Sequence, residues 1–264
     1  MRKIVCLLVL VGGGLAAPAY AGVAMEMVTV NSNGEEQYRT QFYAQNDKIR
    51  MDNGPSAGKP EMSTIFLGNE FVVLDHRESR YYVIDEAMID EVSAQLNAAM
   101  QEMEKQLASL PPEQRAMAEQ MMKGRMQGMM GDSQEAKPRV EAVGTGKWRT
   151  SSCKQYAVYE GGRKTQEICA ASLGAIEGSA EAMQAFRNMA AYLKKMTESL
   201  PMAGSAGPNP GELLDEIDGF PVVTTQYAGG KVADVTTLES TSNQDVDEAL
   251  FMIPDGYTKL DLLQ

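Results

Sequence analysis

The sequence predicts an α+β fold: a curved antiparallel sheet, open as a half-barrel, with helical insertions that cover its concave face. Short segments with period-2 alternation, such as residues 38–43 and 48–52, are separated by turn residues. This spacing leaves no room for crossover helices, so we expect the strands to pair antiparallel. Near Asp85 and again near Ser179 the apolar period changes to 3.6, and strand patterns resume after each interruption. Both helical segments are therefore predicted to be insertions in one sheet.

The first 21 residues are typical of a secretory signal peptide. Arg2 and Lys3 precede an apolar run over residues 4–15, and Ala19-Tyr20-Ala21 is a small-x-small cleavage site. The run is shorter than the roughly 20 residues of a membrane-spanning helix, and no later run is longer, so no transmembrane span is predicted. We expect cleavage near Ala21 and a single domain over residues 22–264, with helical insertions at about residues 86–130 and 179–200.

The charge balance narrows the classes of partner. The chain has 24 Lys and Arg against 36 Asp and Glu; without Arg2 and Lys3 the net charge is 22 − 36 = −14. An acidic chain without a basic stripe is a poor partner for nucleic acid or for an anionic membrane surface. Small or apolar partners are favoured instead.

Two cysteines remain after the signal peptide, Cys153 and Cys169. They flank a predicted hairpin, and a three-residue loop centred on Gly161 would place them directly opposite each other on one face. A disulfide between them is predicted, because the secretory route permits disulfides and neither a CxxC motif nor histidines accompany the pair. Closing this loop is worth about 3 kcal/mol.

The apolar stripes of the two insertions are the candidate ligand contacts. Asp85 is predicted to cap the first helix, which Pro111-Pro112 ends. The apolar stripe of the first helix has seven side chains, Leu110 and the six named below. Burying them contributes roughly 10–20 kcal/mol, and ordering some 25 residues costs about 25–50 kcal/mol, so the first helix needs an apolar partner. The predicted cavity or lid residues are Ile89, Val92, Leu96, Met100, Met103 and Leu107 in the first insertion and Phe186, Leu193 and Met196 in the second.

A methionine cluster in the first insertion leaves an alternative open. The methionines concerned are Met121, Met122, Met126, Met129 and Met130. Thioethers are soft ligands that suit Cu(I), and the same side chains are flexible apolar fillers of packing surfaces. The packing interpretation predicts no metal and no cofactor, whereas the alternative is a Met-rich Cu(I)-binding protein.

No catalytic motif is present in the sequence. His76, the single histidine, lies in a predicted turn and is expected to be exposed there. There is no phosphate-binding loop, no GxSxG elbow and no calcium loop. We therefore expect a protein that is not an enzyme.

Four short segments resemble a known family. Residues 47–52, 153–156, 219–222 and 251–257, read as DKIRMD, CKQY, GFPV and FMIPDGY, resemble an uncharacterised bacterial domain-of-unknown-function family. That family is in turn similar to the periplasmic lipoprotein carriers LolA and LolB. The resemblance implies a periplasmic protein with a curved antiparallel sheet, helices on the concave side and a cavity for acyl chains. It also makes Arg50 a candidate for a lid-contacting arginine.

Together these features predict a periplasmic binding or chaperone-like protein that holds a hydrophobic ligand, a lipid or a lipoprotein acyl chain, in a helix-covered concavity. A second envelope protein is a further candidate partner. Besides Cu(I) binding, a third interpretation remains open, in which the helices pack permanently on the sheet and the protein is a structural or protein-interaction module without a small ligand.

Overall fold

The computed structural model describes residues 22–55, 59–111, 114–115, 117, 120–121, 138–199 and 210–261. Within these residues twelve strands form one sheet, and three helices accompany it. The strands are β1 (Gly22–Asn31), β2 (Glu36–Gln45), β3 (Lys48–Gly54), β4 (Met62–Phe66), β5 (Phe71–Asp75), β6 (Arg80–Ile84), β7 (Arg139–Trp148), β8 (Ser151–Glu160), β9 (Arg163–Ala171), β10 (Phe220–Ala228), β11 (Lys231–Gln244) and β12 (Thr258–Lys259). The helices are α1 (Glu86–Ala108), α2 (Ser179–Glu198) and α3 (Pro210–Glu216), with 3₁₀ turns at Leu173–Ala175 and Glu248–Phe251.

The sheet confirms the predicted fold class. Its strand order is β12-β6-β5-β4-β3-β2-β1-β11-β10-β9-β8-β7, and every neighbouring pair is antiparallel except β12 with β6. In the described part of the chain β12 and β7 are the two edges, so the curved sheet is open. The first insertion leaves from β6 near one edge, and the chain resumes in β7 at the other. The sequence did not predict β12 or α3.

A continuous row of apolar side chains crosses the helix-bearing face of the sheet. It is formed by directly paired residues of six neighbouring strands, namely Val23, Ala44, Ile49, Phe66, Phe71 and Ile84. Residues of α2 pack on this row, and the helix begins so close to β1 that a Cβ on Gly178 would lie 2.3 Å from the Val23 side chain. Gly178 also has a φ of 71°, a backbone conformation that favours glycine.

The C-terminal segment covers the opposite face of the sheet. Val246 and Phe251 pack there with Ile65, Val72 and Leu74 in a second apolar cluster. Because side chains alternate between faces along a strand, β5 is buried on both sides, as its apolar run predicts. The segment then runs beside β6, where the amide nitrogen of Thr258 donates to the carbonyl of Ser79 at 3.0 Å.

The predicted disulfide between Cys153 and Cys169 is confirmed, but the predicted register of its hairpin is wrong. Gly161 and Gly162, both with positive φ, make a two-residue turn, and Cys153 pairs with Ala171 rather than with Cys169. The cysteines are thus diagonal neighbours on one face. Their Cα atoms lie 5.4 Å apart, within the usual range of a disulfide, so a diagonal pair is bridged as readily as a directly opposed one.

Candidate binding site

Helix α1 begins where the sequence predicts and leaves the sheet soon afterwards. The Asp85 side chain accepts a hydrogen bond from the amide nitrogen of Met88 at 2.8 Å and caps the helix. Ile89, in the first turns, packs against the main core. No residue of α1 is buried, and Met100 and Met103 are 42% and 39% exposed. The predicted stripe is therefore present, and in the described part of the chain Ile89, at its beginning, packs on the main core.

The other predicted contacts on α1 are half-buried. They are Ile89, Val92, Leu96 and Leu107. At the far end of the helix, Arg115 donates from Nε to the carbonyl of Leu107 at 3.1 Å and from Nη2 to that of Ala108 at 2.6 Å. These bonds satisfy carbonyl groups of the last helical turn, which have no partner within the helix.

Helix α2 behaves differently, because it is part of the core. Phe186 lies edge-on to Phe42 with ring centroids 5.5 Å apart, and Tyr192 lies 5.6 Å from Phe66. Met196 is buried and Leu193 packs against the same cluster. Helix α2 thus packs on the β1, β2 and β3 part of the sheet. The predicted cavity residues of α2 lie in this packing, and their role in ligand binding stays a prediction.

A small open cleft remains between α1 and the C-terminal end of α2. Its volume is about 230 Å³, and it is lined by Glu86, Ile89, Asp90, Lys195, Met196 and Ser199. Lys195 forms an ion pair with Glu86, and this hydrogen bond raises the pKa of the lysine. The cleft is smaller than the roughly 300–1,000 Å³ of typical ligand pockets. A sizeable ligand would therefore extend from the cleft along the exposed stripe.

The predicted copper ligands lie mostly outside the described residues. Met122, Met126, Met129 and Met130 fall there, whereas Met121 is described and 69% exposed. In the described part of the chain, no group of three or more His, Cys, Asp or Glu side chains is arranged to hold a metal ion. The Cu(I) alternative stays a prediction.

A buried polar network lies on the face opposite α1 and α2. Arg50 donates from Nε to Asp52 Oδ1 at 2.6 Å and from Nη2 to Ser63 Oγ at 3.0 Å. Ser63 Oγ lies 2.5 Å from both Asp52 Oδ1 and His76 Nε2, and His76 Nδ1 lies 2.6 Å from the Tyr257 hydroxyl. Two predictions are corrected here. His76 is half-buried with both ring nitrogens engaged, and Arg50 is buried away from the candidate lid helix.

The directions of these hydrogen bonds follow from the donors that are present. Asp52 only accepts, so the Ser63 hydroxyl donates to it and accepts from His76 Nε2–H. Neutral His76 then accepts a hydrogen bond at Nδ1 from the Tyr257 hydroxyl. A serine nucleophile would require the opposite arrangement, with the histidine taking the serine proton. Ser63 is also fully buried. In this arrangement the network joins the C-terminal segment to the sheet, since Arg50 Nη1 also donates to the carbonyl of Leu250 at 2.7 Å.

The His76 environment predicts a specific pH dependence of stability. Burial, followed by the positive charge of Arg50, lowers the pKa of His76 below its ordinary value near 6.5. The unfolded chain then binds more protons than the folded chain between the lowered pKa and 6.5. The free energy of unfolding should therefore fall as the pH drops through 6.5, until the lowered pKa is reached.

Urea unfolding of the wild type and of His76→Gln between pH 5 and pH 7.5 measures this contribution. The glutamine amide can donate and accept hydrogen bonds but does not titrate. We expect the wild type to lose more stability than the variant as the pH falls. The carboxylates are the same in both proteins, so their contribution to the pH dependence cancels in the comparison. Equal slopes in the two proteins would contradict the prediction.

Among known proteins, several solved structures are similar to this chain. No family model and no curated protein matches the chain. An uncharacterized conserved protein from Thermus thermophilus is 9% identical with a TM-score of 0.46, the match covering 92% of this chain and 91% of that one. A LolA superfamily protein from Nitrosomonas europaea is 8% identical with a TM-score of 0.30, covering 89% and 91%. The Pseudomonas aeruginosa MucA/MucB complex is 9% identical with a TM-score of 0.34, covering 87% and 54%.

These similarities are too distant to assign the chain to a family. The LolA superfamily protein is one of the structures that this chain is similar to, and membership of the related family stays a prediction. Among the described helices, none combines the length and apolarity that crossing a membrane requires.

Proposed function

We propose that this chain is a periplasmic, non-enzymatic binding or chaperone-like protein whose hydrophobic ligand lies along α1 and enters the cleft between α1 and α2. The observation that supports the proposal is a 23-residue helix with a regular apolar stripe and no buried residue. A long amphipathic helix is stabilised mainly by packing of its apolar face. A ligand that covers this face would supply the packing that the described part of the chain does not.

The dimensions of the stripe suit an extended ligand. From Ile89 to Leu107 the helix rises about 27 Å at 1.5 Å per residue. Among the described residues, α1 is held against the rest of the protein at its first end, by Ile89 in the core, by the Glu86–Lys195 ion pair and by a 3.3 Å hydrogen bond from Ser93 to the Ser199 carbonyl. The rest of α1 can therefore adjust its angle to the sheet when a ligand binds. A lipid or acyl chain is the ligand class that the sequence predicts.

Solvent extraction of the natively purified protein, followed by mass spectrometry, tests the proposal together with uptake of a fluorescent fatty acid. The informative variant is Leu96→Ser with Met103→Ser. Each substitution removes apolar contact worth about 1–3 kcal/mol when fully covered, so we expect uptake at least tenfold weaker. The matched control is Met252→Ser, because Met252 is 63% exposed and lies in the C-terminal segment rather than on α1.

Absence of both co-purified lipid and dye uptake would contradict the proposal for lipid-like ligands. The alternative of a structural module without a small ligand would then be favoured, because α2 is packed into the main core of the sheet. Uptake that is equal in the wild type and in the α1 variant would place the ligand elsewhere.

A further inference from the structure

The most exposed members of the α1 stripe are methionines. Met100 and Met103 are 42% and 39% exposed, whereas the four other predicted contacts on α1 are half-buried. The two methionines are three residues apart, so their side chains are neighbours on one face of the helix, about 60° apart around its axis. Both thioethers therefore lie on the surface that the proposed ligand would cover, and before a ligand binds they are accessible from water.

Methionines of the main core are shielded from water instead. Met183, on α2, is 2% exposed, and Met25, on β1, is 3% exposed. The susceptibility of a side-chain sulfur to a dissolved oxidant follows its exposure. An oxidant should therefore modify Met100 and Met103 and spare the methionines that hold α2 on the sheet.

The described part of the chain contains no thiol that would compete for a peroxide. Its two cysteines, Cys153 and Cys169, are joined in the disulfide. Hydrogen peroxide transfers one oxygen atom to a thioether sulfur. The sulfur loses two electrons and becomes a sulfoxide, and the peroxide is reduced to water. Exposed thioethers are thus the sulfur groups in this part of the chain that react.

Oxidation would change the polarity of the stripe without disturbing the core. A sulfoxide is polar, whereas the thioether from which it forms is apolar. At an exposed position of α1 the sulfoxide stays hydrated. Under an apolar ligand it would lose this hydration without gaining a hydrogen-bond partner, which costs free energy. The complex with an apolar chain is therefore destabilised more than the free protein.

We propose that Met100 and Met103 form an oxidation-sensitive site, whose conversion to sulfoxides releases the hydrophobic ligand from α1. This inference rests on the proposed function and adds regulation of the same surface. Methionine sulfoxide reductases reverse the modification. Two thiols supply two electrons and become a disulfide, and the sulfoxide oxygen leaves as water. Because the ligand covers both thioethers, the bound ligand in turn protects them from oxidation.

Uptake of a fluorescent fatty acid before and after hydrogen peroxide treatment tests the inference. Peptide mass spectrometry identifies the oxidised residues, and we expect sulfoxides at Met100 and Met103 but not at Met25 or Met183. Uptake should be about tenfold weaker or more in the oxidised protein, because two apolar contacts are lost. Circular dichroism and the urea midpoint should stay the same, and treatment with the reductases for both sulfoxide epimers should restore uptake.

Two double variants assign the effect to the stripe. Met100→Leu with Met103→Leu keeps apolar side chains of similar volume that do not form sulfoxides. Its affinity for the fatty acid should be the same before and after peroxide treatment, whatever the starting value. The matched control is Met62→Leu with Met252→Leu, which removes two methionines that are 40% and 63% exposed outside α1. This control should show the same loss on oxidation as the wild type.

Ligand protection gives a second, independent readout. At a free fatty-acid concentration of ten times its Kd, about one tenth of the protein is without ligand. The rate at which Met100 and Met103 are oxidised should then fall about tenfold. The rate for Met252, which lies in the C-terminal segment, should not change.

The outcomes distinguish the inference from the proposed function. If the untreated protein takes up no fatty acid, both fail. If it takes up the fatty acid, but protein with sulfoxides at both positions binds it equally well, the inference fails and the proposed function stands. An undiminished loss in the Met100→Leu and Met103→Leu variant would also overturn the inference, because other methionines would then cause the effect.

Discussion

Asp52→Ala is expected to lower the free energy of unfolding by about 3–5 kcal/mol, the usual cost of leaving one member of a buried ion pair without its partner. Asp52 and Arg50 are 9% and 7% exposed, and their side chains meet at 2.6 Å. Without the carboxylate, the Arg50 guanidinium stays buried, and the Ser63 hydroxyl loses its acceptor. Because Arg50 also holds the carbonyl of Leu250, we expect the C-terminal segment to loosen as well. Urea unfolding at pH 7 measures the loss.

The matched control is an exposed ion pair on the same sheet. Arg77 and Glu61 lie 3.5 Å apart with side chains 65% and 50% exposed, so Glu61→Ala should cost at most about 1 kcal/mol. A double variant, Arg50→Met with Asp52→Leu, should recover part of the Asp52→Ala loss because no charge is left buried alone. A loss below about 1 kcal/mol for Asp52→Ala itself would show that solvent screens the pair.

Contacts join in two pairs the four short segments that carry the family resemblance. Residues 47–52 contain Arg50 and Asp52, and residues 251–257 end in Tyr257, which bonds to His76 in the same network. Residues 153–156 meet the turn before residues 219–222, where the amide nitrogen of Asp218 donates to the Tyr156 hydroxyl at 3.1 Å. In that turn a Cβ on Gly219 would lie 2.4 Å from the carbonyl oxygen of Ala171. Segments that are distant in sequence are thus contact partners.

Local sequence patterns were sufficient to predict the strands and helices but not the contacts between them. Alternation and turn residues placed the segments 38–43 and 48–52 within β2 and β3, and the Asp85 cap fixed the start of α1. Such signals act within a few residues. The hairpin register was missed because it depends on the two-residue Gly161-Gly162 turn and on a β-bulge between Val158 and Tyr159. Burial of His76 was missed because it depends on a segment 181 residues away.

The same limit explains why the sequence did not distinguish the candidate binding helix α1 from α2. A period of 3.6 shows that α1 and α2 each have an apolar face, and the two stripes contain similar residues. Period alone does not indicate whether the surface that covers such a face belongs to the same chain. In α2 the sheet covers it, and among the described contacts of α1 it is Ile89, in the first turns, that packs on the main core.

Met183→Ala is expected to destabilise the protein by about 2–5 kcal/mol, whereas Met100→Ala should cost less than about 0.5 kcal/mol. The chemical change is identical in the two variants. Met183, on α2, is 2% exposed within the main core, and its truncation leaves a cavity between the helix and the sheet. Met100, on α1, is 42% exposed, and its truncation removes little packing.

The effects of the two substitutions on ligand binding should follow the reverse order. Because α1 is proposed to carry the ligand contact, Met100→Ala should weaken uptake of an apolar dye, while the Met183→Ala protein that remains folded should bind it as the wild type does. Urea unfolding and dye titration of the same two samples give both measurements. Comparable destabilisation by the two substitutions would mean that α1 is packed as firmly as α2, and it would remove the basis for assigning the binding surface to α1.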